Sequence, residues 1–484
     1  MSFMKVEVVY QNTNTAQTVI YLFRQDDTLI ERLQSFPFAD FLVQDFKAEA
    51  KQTHLFYQEN QKVFFLGLGK SPKESDYIKV LRSFFYKQKK DLPDTVALNL
   101  TLGGIETEWI SAIVNGVVLG DYDLGLYKTE SIPPTFFGKN TSLQIVVEEA
   151  NAELAQQQAF RGEATAWTQI RIMDLMNAPS NKKSPESLGN WALDSGTKYG
   201  YLVKVYDELE CAEMGLQALL GVSAGSKNPP RFIVLEYKHP EATQKIGLVG
   251  KGVTFDTGGV SLKQSTNMHY MKSDMGGAAA VLGTIELAAK LQLPVHVIGV
   301  IPSTENSIDG LALKPGDVIG SFSGKTIEVI DTDAEGRLIL ADGLSYIIKN
   351  FQPDVLIDLA TLTGSCVATL GYHAAGMFTN NEKLAESLYQ SGQQTGEKLW
   401  RLPLWDDYKD ELKSDVADVK NFHGKPFAGA IVAAKFLEVF VDKHQSWAHL
   451  DIAGTAFGDS EFGTMKSSTA YGVRLLIEWL RTRG

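Results

Sequence analysis

Two cysteines, Cys211 and Cys366, are all that 484 residues contain, and neither belongs to a C-x-x-C pair. So few thiols exclude a disulfide framework and a cysteine-ligated metal, and they point to a reducing compartment. Uncharged apolar runs of membrane-spanning length are missing, and residues 1–9 lack the charged-then-apolar pattern of a secretion signal. The expectation is a soluble, cytoplasmic protein with no membrane partner. Basic blocks longer than a few residues are missing too, and the formal charge is −12. An acidic chain without a basic stripe excludes nucleic acid or an anionic membrane surface as the main partner.

Several catalytic signatures are absent as well. There is no H-E-x-x-H, and the eight histidines do not fall into ligand spacing; His444 and His449, five apart, face poorly. No G-x-S-x-G occurs, so a serine-hydrolase elbow is excluded. Gly67-Leu68-Gly69-Lys70-Ser71 has the ending of a phosphate loop, but Phe64 stands where the first glycine is required. No internal repeat or low-complexity tract is present.

What is present suits a large α/β protein. The chain is 44% hydrophobic and long enough for about two to four domains. Short apolar runs at 5–9, 18–23 and 63–68, with helix-like stretches among them, suggest a smaller α/β unit over residues 1–150. The polar Ala/Glu/Gln-rich stretch after it reads as a linking helix, 151–176, stopped by Asn177-Ala178-Pro179-Ser180-Asn181. From Ser184 the pattern becomes strand, loop, helix. Strands are expected at 202–206, 231–237, 245–249, 295–301, 326–330 and 355–359, and helices at 278–291 and 338–348. An amphipathic helix, 471–481, closes the chain. Such alternation predicts, for residues 177–484, a central mixed sheet flanked by helices.

The chemistry concentrates in two clusters. The first is Asp331-Thr332-Asp333-Ala334-Glu335-Gly336-Arg337, placed where the expected strand 326–330 gives way to a helix. In α/β sheets ligands bind at that end of a strand. On extended backbone Asp333 and Glu335 point to the same side and repel unless a cation lies between them. The second cluster is Gly250-Lys251-Gly252-Val253-Thr254-Phe255-Asp256-Thr257-Gly258-Gly259, then Lys263, then Met271-Lys272-Ser273-Asp274-Met275-Gly276-Gly277. Each part has a plainer reading: a solvated turn for the first cluster, an N-cap for Asp274, a surface lysine for Lys263. Together, Asp256, Asp274, Asp333 and Glu335 carry four negative charges, which two divalent cations would cancel. Carboxylate oxygens suit Mg²⁺, Mn²⁺ or Zn²⁺. The chemistry indicated is two-metal hydrolysis without histidine ligands.

With these residues in view, the sequence resembles the leucyl (cytosol) aminopeptidases, the M17 metallopeptidases. Asp331–Leu338 departs from the family's N-T-D-A-E-G-R-L at its first position only, and the G-K-G-x-T-F-D-[ST]-G-G block is intact at 250–259. Lys263 and S-D-M-G-G follow at family spacing, with supporting matches at 360–364 and 447–454 and weaker ones at 214–231 and 177–181. The strong resemblance covers about residues 165–484.

The resemblance implies a macro-like N-terminal α/β domain, a linking helix and a catalytic α/β domain, assembled as a homohexamer. It implies two divalent metal ions per chain, Zn²⁺ or Mn²⁺, with Asp256 and Glu335 bridging them. Asp333 would bind one metal through side chain and carbonyl, and Lys251, deprotonated, with Asp274 would complete the other. Lys263 would polarise the scissile carbonyl and stabilise the oxyanion. Arg337 would hold bicarbonate as general base toward the water between the metals. Met271, Thr361, Leu362, Gly364, Ala453 and Ala456 would form the pocket for the first side chain of a peptide substrate, Leu preferred. An amine-anchored substrate makes the activity exopeptidic. Other readings are a catalytically silent oligomeric binding protein of the same fold, an added nucleic-acid role, disfavoured by the charge, and another dimetal hydrolase such as a phosphoesterase. Those hydrolases usually include histidine ligands. Asp331, where the family has Asn, is expected to be tolerated, either protonated by its acidic neighbours or paired with a cation.

Overall fold

A computed structural model describes residues 4–10, 16–58, 60–130, 135–138, 140–459 and 461–483. The chain divides into two compact units, Met1–Ile170 and Arg171–Gly484, and the division falls inside the helix Ala152–Asn177.

The first unit holds a six-stranded sheet in the order Lys5–Tyr10, Ser142–Val147, Thr95–Asn99, Thr18–Phe23, Gln61–Gly67, Thr53–Gln58. All neighbours are parallel except the last pair. Parallel strands buried on both faces read as apolar runs, as Thr18–Phe23 does with Val19, Ile20, Leu22 and Phe23 all buried. One face is filled by Phe23, Phe36, Phe46 and Phe65, whose rings meet edge to face.

The second unit is built on a nine-stranded mixed sheet. Its order is Leu399–Arg401, Ala375–Thr379, Trp447–Asp451, Val355–Ala360, Lys245–Gly250, His296–Asn306, Arg231–Lys238, Leu202–Tyr206. Gly252–Asp256 pairs in addition with the far end of His296–Asn306. Strands 447–451, 355–360, 245–250 and 296–306 run parallel to one another, and the flanking pairs are antiparallel at 375–379 and 231–238.

Helices cover both faces. A Cβ on Gly299 would lie 2.5 Å from Ile285 of the helix Gly276–Lys290, and one on Gly247 2.9 Å from Ile347 of the helix Glu335–Phe351. Gly247 pairs with Ile298, the residue before Gly299, so the two glycines face opposite sides of the sheet. Both helices are buried along most of their length, and Leu338, Ile339, Leu344 and Ile347 pack with Val249, Val300, Leu356 and Trp447 in one core. The mixed sheet flanked by helices is the architecture that the alternating pattern implies.

Two local expectations change. The strand expected at 326–330 shrinks to Ile327–Glu328, which lies in a separate three-stranded sheet with Val318–Ile319 and Val419–Lys420. The backbone beyond it leaves the ladder because the N–H groups of Ile330 and Asp331 donate to the Asn421 side-chain carbonyl, at 2.8 and 3.3 Å. Residues 331–334 therefore form a turn rather than an extended run, and the helix starts at Glu335.

Candidate active site

Lys251 is placed by the sheet itself, between the strands Lys245–Gly250 and Gly252–Asp256, with its side chain buried. Its Nζ lies 2.8 Å from Asp274 Oδ2 and 2.9 Å from Glu335 Oε1, and donates to the Thr361 carbonyl at 3.1 Å. Space for it depends on Gly336, where a Cβ would sit 2.7 Å from Lys251 Nζ. Gly277 lets the helix Gly276–Lys290 approach the strand ends; a Cβ there would lie 1.9 Å from the Leu359 carbonyl.

Asp256 ends the short strand Gly252–Asp256. Its Oδ1 accepts the Gly258 N–H and the Asn306 side-chain amide, each at 2.8 Å. Its Oδ2 is thereby turned toward Lys263, whose Nζ stands 2.8 Å away and also pairs with Asp333. The Thr332 hydroxyl donates to the Gly258 carbonyl at 2.7 Å and accepts the Ser261 N–H at 2.8 Å, fastening the loop that carries Lys263 to the acidic turn. Glu335, the first residue of its helix, has its carboxylate at the positive end of the helix dipole. One oxygen from each of Asp256, Asp333 and Glu335 lies within 4.8 Å of the others, the arrangement a cation requires.

Electrostatics agree with that use. Burial pushes the Asp274 carboxyl up to about 8, the Asp256 and Glu335 charges adding to the effect against Lys251. Burial and Asp256 push Asp333 up to about 7, and Glu335 moves upward for the same reasons. Burial lowers Lys251, but Asp274, Glu335 and Asp256 outweigh it and hold the ammonium; Lys263 is likewise raised, by Asp256, Glu335 and Asp333. Asp274 Oδ2, Asp333 Oδ1 and both Glu335 oxygens are buried and accept no hydrogen bond of ordinary geometry, the lysine ammoniums being the ion partners of Asp274, Asp333 and Glu335 Oε1. Buried carboxylate oxygens left in this state fit a hard or borderline dication.

Arg337, also buried, donates through Nη1 to the Asn421 carbonyl at 2.7 Å, while its Nε has no hydrogen-bond partner. Burial pushes the guanidinium down to about 10. A small anion beside it would satisfy that donor.

The residues assigned to the side-chain pocket fall into two groups. Thr361 donates its hydroxyl to Asp274 Oδ1 at 2.8 Å, Ala456 and Thr361 both flank Gly276, and the Met271 carbonyl accepts the Asp274 N–H at 3.2 Å. The Leu362 and Ala453 amides each donate to Asp451 Oδ1 at 3.2 Å. Gly364 opens the helix Gly364–Leu370 and is exposed. Sequence reasoning missed Asn306, Asn421 and Asp451. Asp451 stands inside the 447–454 stretch that supported the resemblance, so a signal for it existed; Asn306 and Asn421 have no motif around them.

The geometry is that of an acidic, lysine-bridged centre beside the strands Lys245–Gly250 and Gly252–Asp256 of a mixed α/β sheet, with three carboxylates that could hold a cation. Residues 171–477 match the catalytic domain of the cytosol aminopeptidase family, and the chain belongs to that family of peptidases. The "probable cytosol aminopeptidase" of Chlorobium phaeobacteroides is 43% identical over 468 residues, 93% of each chain, and that of Chloroherpeton thalassium is 43% identical over 460 residues, 90% of each. Among solved structures, the bottromycin maturation enzyme BotP in complex with Mn is 32% identical, with a TM-score of 0.85 over 97% of this chain and 99% of that one. Among the described residues no helix is long and apolar enough to cross a membrane.

Proposed function

We propose that the protein is a two-metal aminopeptidase that releases N-terminal residues from peptides, leucine preferred. The observation that carries the reading is the set Asp256, Asp274, Asp333 and Glu335, all buried but the half-buried Asp333, facing Lys251 and Lys263, with the buried Glu335 Oε2 accepting no hydrogen bond. Asp256 and Glu335 would be shared between two divalent ions, Mn²⁺ or Zn²⁺; Asp333 would complete one site, Asp274 and Lys251 the other. Such ions, when bound, would supply a water of pKa about 7 and an electrophile for the scissile carbonyl.

The chain's own residues do the remainder. Lys251 must give up its proton to become a ligand, and proton release on metal binding makes affinity rise with pH. Lys263, 23% exposed where Lys251 is 4%, reaches the open side of the cluster. From there its ammonium can donate to the oxyanion that develops on the carbonyl. Arg337, with its free Nε, would hold bicarbonate or a similar anion near the reacting water. Met271, Thr361, Leu362, Gly364, Ala453 and Ala456 are uncharged, so an acidic first residue would lose its hydration without gaining a partner. Met adapts its shape readily to different apolar side chains. The homohexamer and the cytoplasmic location that we propose rest on the family likeness.

A panel of aminoacyl p-nitroanilides tests the reading. Leu and Met substrates, and to a lesser extent Phe, are expected to be cleaved and Asp and Glu substrates to be poor; a preference for acidic residues would contradict the pocket.

A further inference from the structure

The sheet ladder between Val355–Ala360 and Trp447–Asp451 ends at the pair Ala360 and Asp451. Beyond it the backbone of 361–363 leaves the sheet, and its N–H groups need other acceptors. Asp451, fully buried, supplies the acceptor for two of them, Leu362 and Thr363. Its Oδ1 accepts the N–H of Leu362 at 3.2 Å, of Thr363 at 3.4 Å and of Ala453 at 3.2 Å, and its Oδ2 accepts the Thr363 hydroxyl at 2.6 Å. Hydrogen bonds to a carboxylate are about twice as strong as neutral ones, and a carboxylate with four such bonds tolerates burial.

The held segment begins with Thr361. Its carbonyl accepts Lys251 Nζ at 3.1 Å and its hydroxyl donates to Asp274 Oδ1 at 2.8 Å. The Asp451 carboxylate is therefore one hydrogen bond from Leu362 and Ala453, and holds the residues that directly follow Thr361, the contact of the Lys251–Asp274 pair.

We propose that Asp451 is a positioning residue, which fixes residues 361–363 and Ala453 and so sets both the geometry of the Lys251–Asp274 metal site and the shape of the first side-chain pocket. The proposal rests on the aminopeptidase reading. If the carboxylate were purely structural, its removal would lower the melting temperature and leave selectivity and metal affinity alone.

The test uses the full-length, Mn²⁺-loaded enzyme. Hydrolysis of Leu- and Ala-p-nitroanilide gives the Leu-over-Ala ratio of kcat/KM, and calorimetry on the chelated protein gives Mn²⁺ affinity. Asp451→Ala is expected to lower the ratio by about tenfold, one decade of differential transition-state binding, and to weaken Mn²⁺ at one of two sites. Asp451→Asn, which keeps Oδ1 for the three amides, should restore the ratio to within about threefold of the native value. If Asp451→Ala is not recovered folded, Thr363→Val removes the hydroxyl bond to Asp451, along with the cap that this hydroxyl gives the Cys366 N–H at 3.0 Å, and is expected to move the ratio about threefold in the same direction. Folded variants with native ratio and native Mn²⁺ affinity would overturn the proposal. A native enzyme that cleaves neither substrate would instead count against the aminopeptidase reading, and the Mn²⁺ affinities of the variants would still decide the role of Asp451.

Discussion

The side chain of Asp331 accepts the backbone N–H of Asp333 through Oδ1 at 2.9 Å. Asparagine offers the same oxygen in the same place, so the one departure from the family signature keeps the bond that shapes the turn. The Asp331 carbonyl, meanwhile, accepts the Asn421 amide at 2.7 Å whatever the side chain. Asp331→Asn is therefore expected to retain activity within about tenfold, or 1.4 kcal/mol of transition-state stabilisation, at saturating metal. A loss of about a hundredfold or more in steady-state turnover would place this carboxylate in the mechanism itself.

Lys263 touches both Asp256 and Asp333 and is the more accessible of the two lysines. Lys263→Ala is expected to reduce kcat by about a hundredfold or more, as loss of one oxyanion donor does, with KM little changed. Arg337→Ala should cost less, since water or a buffer anion can stand in for a held bicarbonate. A Lys263→Ala enzyme altered in KM alone would assign this lysine to substrate binding.

Lys183 is a buried amine that donates to the carbonyls of Met176, at 3.0 Å, and Lys272, and burial pushes it down to about 7, the positive Lys272 adding to the effect. Its folded pKa is below the unfolded one, so unfolding takes up a proton at any pH between about 7 and the ordinary lysine value near 10.4. Stability should rise with pH across that window and be indifferent to this group below it. Melting temperatures of the native protein and Lys183→Met, compared from pH 7 to 9.5, should diverge in favour of the native chain as pH rises. A constant difference would show that Lys183 is charged throughout.

The parts of this site that the sequence disclosed are those with local pattern. Lys251 and Asp256 stand among glycines after an apolar run, and the four carboxylates come in two compact clusters. The central sheet was legible for the same reason, since buried parallel strands such as Lys245–Gly250 are short apolar runs. What stayed hidden acts across distance. Asn306 orients Asp256 from 50 residues away, Asn421 holds Arg337 from 84, and Asp451 holds Leu362 from 89. Hydrogen bonds of that kind leave no periodicity. Asp333 and Glu335 do not alternate along an extended backbone, because side-chain bonds from Asp331 and Asn421 turn the chain there. Their proximity comes from a turn running into a helix instead.

Metal titration tests most directly whether Asp256 and Glu335 would be shared by two cations, as proposed. Chelated enzyme should be inactive toward leucine p-nitroanilide, and titration with Mn²⁺ or Zn²⁺ should restore activity in step with two ions per chain, the site without Lys251 exchanging faster. Asp256→Ala or Glu335→Ala should abolish activity and weaken both sites, because each leaves two cations short of a ligand. Full activity with a single bound metal per chain would contradict the account.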